Sequence, residues 1–257
     1  MGQILYKYKD YKSPYRDDYI TRNEVHYTFP RLLNDPFDIH PYVRPLTKEE
    51  KQELMKTTVG HLFSETQIAS ALDNFSHRDL YLAVQSILSQ TYVFSLSKTY
   101  KSIQMWAHYA DAHKGICYGF DVSEDEKCFS PRLDVCYDNL RPQINILDQY
   151  RGCAEKFEDQ IKKAITTKQK QWANEEEVRC LKRYGINEQN TNVHFNPKAL
   201  KEIIFGWITP EEDIAKIVQL CKANHLQVDF YQMVMANTPE FLLERERRDD
   251  LKNYLKH

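Results

Sequence analysis

Three adjacent glutamates, Glu175, Glu176 and Glu177, stand in the stretch WANEEEVR, between Trp172 and a run, VRCLKRY, that reads as a β-strand. Like charges side by side repel one another, so the stretch is either a solvated surface or a set of carboxylates held for chemistry. If the run enters the strand, the two-residue pleat sends Glu175 and Glu177 to one face and Glu176 to the other. Two carboxylates on one face suit proton transfer or the stabilisation of a developing positive charge. The plain alternative is the C-terminal turn of a helix with Arg179 pairing locally. Negative charge there opposes the helix dipole by about a few tenths of a kcal/mol per residue.

Other residues carry weaker signals. Nine His and six Cys never adopt HExxH, HxH or CxxC spacing, so no metal is expected. Asp35 and Asp38 lie near His40. Asn34-Asp35-Pro36 reads first as a turn, with a Mg²⁺-type carboxylate cluster as its rival. Cys117 follows Gly115-Ile116 on a strand and reads as a buried core thiol. Ser95 and Ser97 in FSLS share one face of a strand, but no GxSxG elbow is present. In MWAHYADAH, His108 and Asp111 are i,i+3 neighbours and Tyr109 and His113 are i,i+4 neighbours. A histidine there fits either a structural hydrogen bond or the orientation of a substrate.

The elements that must position these residues form an irregular mixture. Strands are expected at 4–10, 25–29, 92–97, 116–122 (with Gly119 inside it), 133–138, 178–184, 203–208 and 227–235. Pro30, Pro36, Pro41 and Pro45 make the segment between the second and third strands turn-rich. A helical insertion spans about 47–90, opening on a capping box at Thr47 with its first helix running to about Phe63. A helix over 101–113 places Ile103, Trp106, Ala107 and Ala110 on one face. A long helix over about 146–171 spaces Leu147, Tyr150, Ala154, Phe157, Ile161 and Ala164 on another. Thr209-Pro210 caps a further helix, and a charged C-terminal helix is expected at about 239–256. The predicted fold class is α+β: one domain, 1–257, with a short mixed sheet.

Bulk composition excludes several functions. With 28% charged and 42% hydrophobic residues, the 257-residue chain has an ordinary globular balance and the length to bury a substantial core. It has 7 Gly and no GxGxxG or GxxxxGK, so a glycine-rich phosphate loop is not expected. A net charge of −2 gives no indication of nucleic-acid binding. No apolar run reaches membrane length. Met1-Gly2 fails as a myristoylation signal, because Tyr6 stands where Ser or Thr is needed. Six scattered cysteines without a secretory leader read as reduced thiols, hence a cytoplasmic protein with no membrane partner.

LYKY at 5–8, LNDPFD at 33–38, FSLS at 94–97, MWAHYADAHKGICYGFD at 105–121, WANEEEVR at 172–179 and IIFGW at 203–207 follow one another in order. This series resembles the bacterial and phage proteins of domain-of-unknown-function family 2971, from about residue 5 to about 220. Two departures are Asn174, where the family pattern has an aromatic, and LNDPFD for the more usual FNDPFD. The family supplies no activity.

Within it, the order Lys7, Ser95-x-Ser97, Glu175-x-Glu177 resembles the Arg, Ser-Thr-Ser, Glu-x-Glu order of ADP-ribosyltransferases. Lys7 stands where that superfamily has Arg or His, and lysine offers no bidentate fork. The resemblance implies an ADP-ribosyltransferase-like fold that takes NAD as substrate and cleaves its nicotinamide–ribose bond. The ADP-ribosyl group would pass to a macromolecular acceptor or to water. Glu177 would stabilise the oxocarbenium-like ribose, and Glu175 would orient or deprotonate the acceptor. Ser95 and Ser97 would position the ribose and brace Glu177, and Tyr6, Tyr8, Trp106 and Tyr109 would offer aromatic surface to the pyridinium. His108 joins this binding set, and Lys7 or Arg179 would meet the pyrophosphate. Such chemistry would suit a toxin or a phage-defence enzyme. Two rival readings are a non-enzymatic ligand- or protein-binding module in phage defence, and a metal-dependent nuclease built on Asp35, Asp38 and the glutamates.

Overall fold

The computed structural model describes residues 2–59, 62, 64–74, 76–184 and 191–252 of the chain. The β-branched and aromatic runs form an eight-stranded mixed sheet. Its strands are β1 Ile4–Lys9, β2 Thr91–Ser97, β3 Ile116–Asp121, β4 Arg132–Asp134, β5 Glu177–Arg183, β6 Leu200–Phe205, β7 Asp229–Met235 and β8 Leu243–Arg247. Their order across the sheet is β8-β7-β6-β3-β1-β2-β5-β4. All neighbours run antiparallel except β6 and β7. Helices cover the sheet, so the chain is α+β.

The pleat sorts β1 between two cores. Leu5 packs on one face with Phe94, Phe120, Ile203 and the helix Glu211–Ala223. Tyr6 and Tyr8 pack on the other face with Trp106, Ile204 and Met233. Three helices, Lys48–Val59, Glu65–Asn74 and His77–Leu88, make up the expected insertion. Thr47 and Glu50 form the reciprocal capping box, with backbone bonds of 3.2 and 2.9 Å. Phe63, the expected end of the first helix, lies outside the described residues. Gly119 is explained by its neighbour: a Cβ there would lie 2.4 Å from Glu202 Cγ.

The strand expected at 133–138 is split into Arg132–Asp134 of the main sheet and Cys136–Asp138 of a separate pair, and three expected helices differ from the structure. The 146–171 helix is broken. Leu147–Tyr150 and Ala154–Thr166 are separate helices, with Gly152 at φ +72° between them. Thr167–Gln169 then turns extended and pairs in parallel with Cys136–Asp138, a long-range partner that helical spacing cannot reveal. The 101–113 helix is only Ile103–Tyr109, because Asp111, Ala112 and His113 take φ values of 45°, 49° and 70° in a left-handed turn. On it Trp106 is buried as expected, whereas Ile103 and Ala107 are exposed. The 239–256 helix is instead strand β8, bonded along β7, followed by the short helix Asp249–Lys252. Residues 253–256 of that expectation lie outside the described set.

One irregularity of the sheet creates space. β1 and β2 share a single register pair, Tyr6 with Ser97. Four residues along β2, Val93 instead exchanges two backbone bonds, 2.8 and 3.0 Å, with Thr28. Between these points, around Ser95, the sheet is parted.

Candidate functional site

A cleft of about 270 Å³ opens where β1 and β2 part. Lys7, Ser95, Ser97, Glu175 and Glu177 all line it, with Tyr6, Tyr8 and Tyr109 among its walls. Glu176 does not. The backbone geometry that separates the three glutamates is not the simple pleat. Glu175 ends a 3₁₀ turn, Lys170–Glu175. Glu176 takes a left-handed conformation (φ 43°, ψ 49°), and Glu177 then begins β5. That kink turns Glu176 to solvent and buries both flanking carboxylates. The solvated helix end is thereby ruled out.

Burying carboxylates requires partners. Arg179, wholly inaccessible to solvent, spends its donors within the protein. Its Nε donates to Glu177 Oε1 at 2.9 Å, Nη1 to the Ile165 carbonyl at 2.5 Å, and Nη2 to Asp38 at 2.8 and 2.7 Å. Lys168, on the extended turn after the broken helix, donates to Glu175 Oε2 and, at 3.2 Å, to Glu177 Oε2, and lies 3.8 Å from Asp38. Tyr109 Oη donates to Glu175 Oε1 at 2.7 Å and accepts from Asn34 Nδ2 at 2.7 Å. Lys7 Nζ donates to the Ser95 carbonyl at 2.8 Å across the parted strands.

The two glutamates differ in acidity. Burial pushes the Glu177 carboxyl up, but Arg179 and Lys168 beside it, with a hydrogen bond from Ser95, more than reverse this and hold it down at about 2. Glu175 is pushed up by burial, which Lys168 only partly offsets. Asp38 is likewise raised, burial outweighing Arg179. Burial, reinforced by the Lys9 charge, lowers the Lys7 ammonium to about 8. Lys168 also loses by burial, yet the two glutamates hold it above its ordinary value. The cleft therefore pairs a fixed carboxylate with a protonatable one.

Three expected binding residues lie elsewhere. Arg179 cannot reach a pyrophosphate, because it is sealed beneath Glu177 with its donors committed. Trp106 is fully buried and its Nε1 donates to the Tyr100 carbonyl at 2.7 Å, so it offers no face to a ligand. His108 lines a neighbouring hollow rather than the cleft. Ser97 lines the cleft, with its hydroxyl bonded to Thr99 at 2.9 and 3.1 Å. Lys168 was missed because its position fell inside an expected helix. From its sequence neighbours Asp38 reads only as a metal ligand or part of a turn. The turn itself is present: Asp35 Oδ1 accepts from Phe37 N at 2.9 Å. Among the described residues no three His, Cys, Asp or Glu side chains gather as metal ligands. The carboxylates that do converge take Lys168 and Arg179 as their counter-ions, which gives the nuclease reading no support.

Residues 105–180 match the model of a family described as protein of unknown function (DUF2971). This stretch, 76 of the 257 residues, is similar to that family. The resemblance read from the sequence reaches further, from about residue 5 to about 220. The matched stretch supplies Tyr109, Lys168, Glu175, Glu177 and Arg179, while Lys7, Asp38 and Ser95 come to the cleft from outside it. No curated protein and no solved structure matches the chain. No helix among the described residues is long and apolar enough to cross a membrane.

Proposed function

We propose that the cleft is the active site of an ADP-ribosyltransferase-like enzyme that takes NAD as substrate. The observation that carries this reading is the convergence of Lys7, Ser95, Ser97, Glu175 and Glu177 on one cleft, with Glu176 outside it. At about 270 Å³ the cleft suits one nucleoside end of a dinucleotide, with the remainder lying outside. Tyr109, partly exposed in the wall, provides ring surface for a cationic pyridinium, while Tyr6 and Tyr8 line the cleft with rings packed in the core.

The chemistry is balanced by the chain's own groups. The C–N bond between ribose and pyridinium breaks with both electrons passing to the ring nitrogen, releasing neutral nicotinamide. The ribosyl carbon gains oxocarbenium character facing Glu177, whose low pKa keeps it charged at neutral pH. An acceptor hydroxyl or water then bonds to that carbon, and Glu175, more basic than an ordinary carboxylate, takes the proton. Lys168 bridges both carboxylates and tempers their charge, holding them in place. Lys7 remains the candidate for the pyrophosphate.

Incubation with NAD labelled in the adenylate half, with and without candidate protein acceptors, tests this reading. Nicotinamide release, with label either on the acceptor or in free ADP-ribose, is expected from the wild type and strongly reduced in Ser95→Ala and Glu175→Gln. A well-folded wild type that releases no nicotinamide would refute it. The non-enzymatic module of phage defence is the reading that would then stand.

A further inference from the structure

A second hollow of about 220 Å³ adjoins the cleft. The two share Met105, Tyr109 and Glu175, so the Tyr109–Glu175 hydrogen bond is the partition between them. Beyond it the lining changes character. Gln104, Gln171 and Asn174 bring three carboxamides, Trp172 an indole and His108 an imidazole.

The charge of this hollow is already settled from within. The indole face and the carboxylate that would attract a guanidinium both hold the chain's own ammonium: Lys168 Nζ lies 5.0 Å from the Trp172 ring centre and donates to Glu175. A second cation would meet that charge at close range. Lys168 is in turn bound to two carboxylates, so it offers little to an anion. What remains is neutral hydrogen bonding. Asn174 Nδ2 donates to Gln104 Oε1 at 2.5 Å and Gln171 Nε2 to Gln169 Oε1 at 2.8 Å. The complementary groups, Gln104 Nε2, Asn174 Oδ1 and Gln171 Oε1, have no partner among the described residues. The Trp172 indole N–H is buried and likewise has no acceptor among the described residues.

Carboxamides read the paired donor and acceptor edge of a base, and an indole stacks on its face; with Lys168 against one side of the Trp172 ring, the opposite side is the one left to stack. We infer that this hollow is a binding site for a nucleobase, built from Trp172 and the carboxamides of Gln104, Gln171 and Asn174. The base comes either from the adenine end of the NAD that the proposed reaction consumes or from a separate base-bearing acceptor. Base binding is an equilibrium property measured without turnover, so it stands or falls apart from NAD cleavage.

Titration calorimetry of the whole chain with adenosine, guanosine, cytidine and uridine, and with agmatine as a guanidinium probe, tests the inference. At least one nucleoside is expected to bind, agmatine more weakly. Trp172→Leu should weaken that nucleoside about tenfold or more. The pair Gln104→Ala/Asn174→Ala changes exposed side chains only, leaves the fold intact and should weaken it as well. Repeating the titration at saturating NAD in Glu177→Gln, where cleavage is expected to be lost, separates the sources. A nucleoside displaced by NAD assigns the hollow to the adenine end, and one still bound assigns it to a second base. Preference for agmatine, no nucleoside binding at all, or binding unchanged in both variants would overturn the inference.

Discussion

Replacing Arg179 by Met probes the support beneath the cleft. The guanidinium is wholly buried and is the counter-ion of both Asp38 and Glu177, while Lys168 serves Glu175, Glu177 and Asp38 together. Without Arg179, three buried carboxylates share one ammonium. Removing one partner of a buried ion pair costs about 3–5 kcal/mol, because the remaining charge cannot be resolvated. Against a total stability of about 5–15 kcal/mol this is a large fraction. With a urea slope of about 3 kcal/mol/M, the upper part of the usual range, it moves the unfolding midpoint down by roughly 1 M or more. Urea denaturation at pH 7, followed by far-UV dichroism, measures the shift. The double variant Arg179→Met/Asp38→Asn removes one stranded charge and should recover part of the loss, so the two substitutions are non-additive. A loss below about 1 kcal/mol, the scale of an exposed pair, would refute the reasoning that this network is desolvated and mutually dependent.

Three further outcomes follow from the acidities and contacts. Glu177 is lowered in the folded state from the model-compound 4.5 to about 2. Its stabilising effect is therefore full above about 4.5 and lost as pH falls toward 2, and the stability gap between wild type and Glu177→Gln should close over that window in a pH series of denaturation curves. Lys7 is lowered to about 8, so its ammonium loses charge as pH climbs through that value. KM for NAD should rise above about pH 8 in the wild type and stay flat in Lys7→Arg. Tyr109→Phe removes hydrogen bonds to Glu175 and Asn34. It should lower stability by about 1–3 kcal/mol and raise the pH at which cleavage reaches half its maximum, because the tyrosine bond helps hold the Glu175 carboxyl down.

The sequence made parts of this site legible for physical reasons that differ from residue to residue. β1, β2 and β5 were readable because β-branched and aromatic runs declare themselves locally, and they carry Lys7, Ser95, Ser97 and Glu177. Glu175 and Glu177 were paired by the right expectation for the wrong local reason: a left-handed Glu176, not a continuous pleat, sets them apart. Lys168 was hidden because Thr167–Gln169 leaves its helix to pair with Cys136–Asp138, about 30 residues earlier in the chain. The role of Asp38 depends on Arg179, 141 positions away. The helical face of Trp106 marks it as core, and its aromatic character alone suggests the ligand role that burial denies it. The C-terminal helix failed because charged side chains suit an exposed edge strand as well as a helix surface; Arg245 and Arg247 pair there with Glu202 and Asp229.

The rate of nicotinamide release from NAD, compared between wild type and Glu177→Gln, tests the central claim most directly. Glu177→Gln keeps the side chain's shape and one acceptor oxygen while removing the charge that faces the ribose. Folding of each protein is verified by its unfolding transition, and Ser95→Ala, which leaves the Arg179 network unbroken, serves as the second variant. The account predicts release by the wild type and a loss of about 100-fold or more in Glu177→Gln, the scale of deleting one electrostatic stabiliser of a transition state. Equal rates in folded wild type and Glu177→Gln would contradict it.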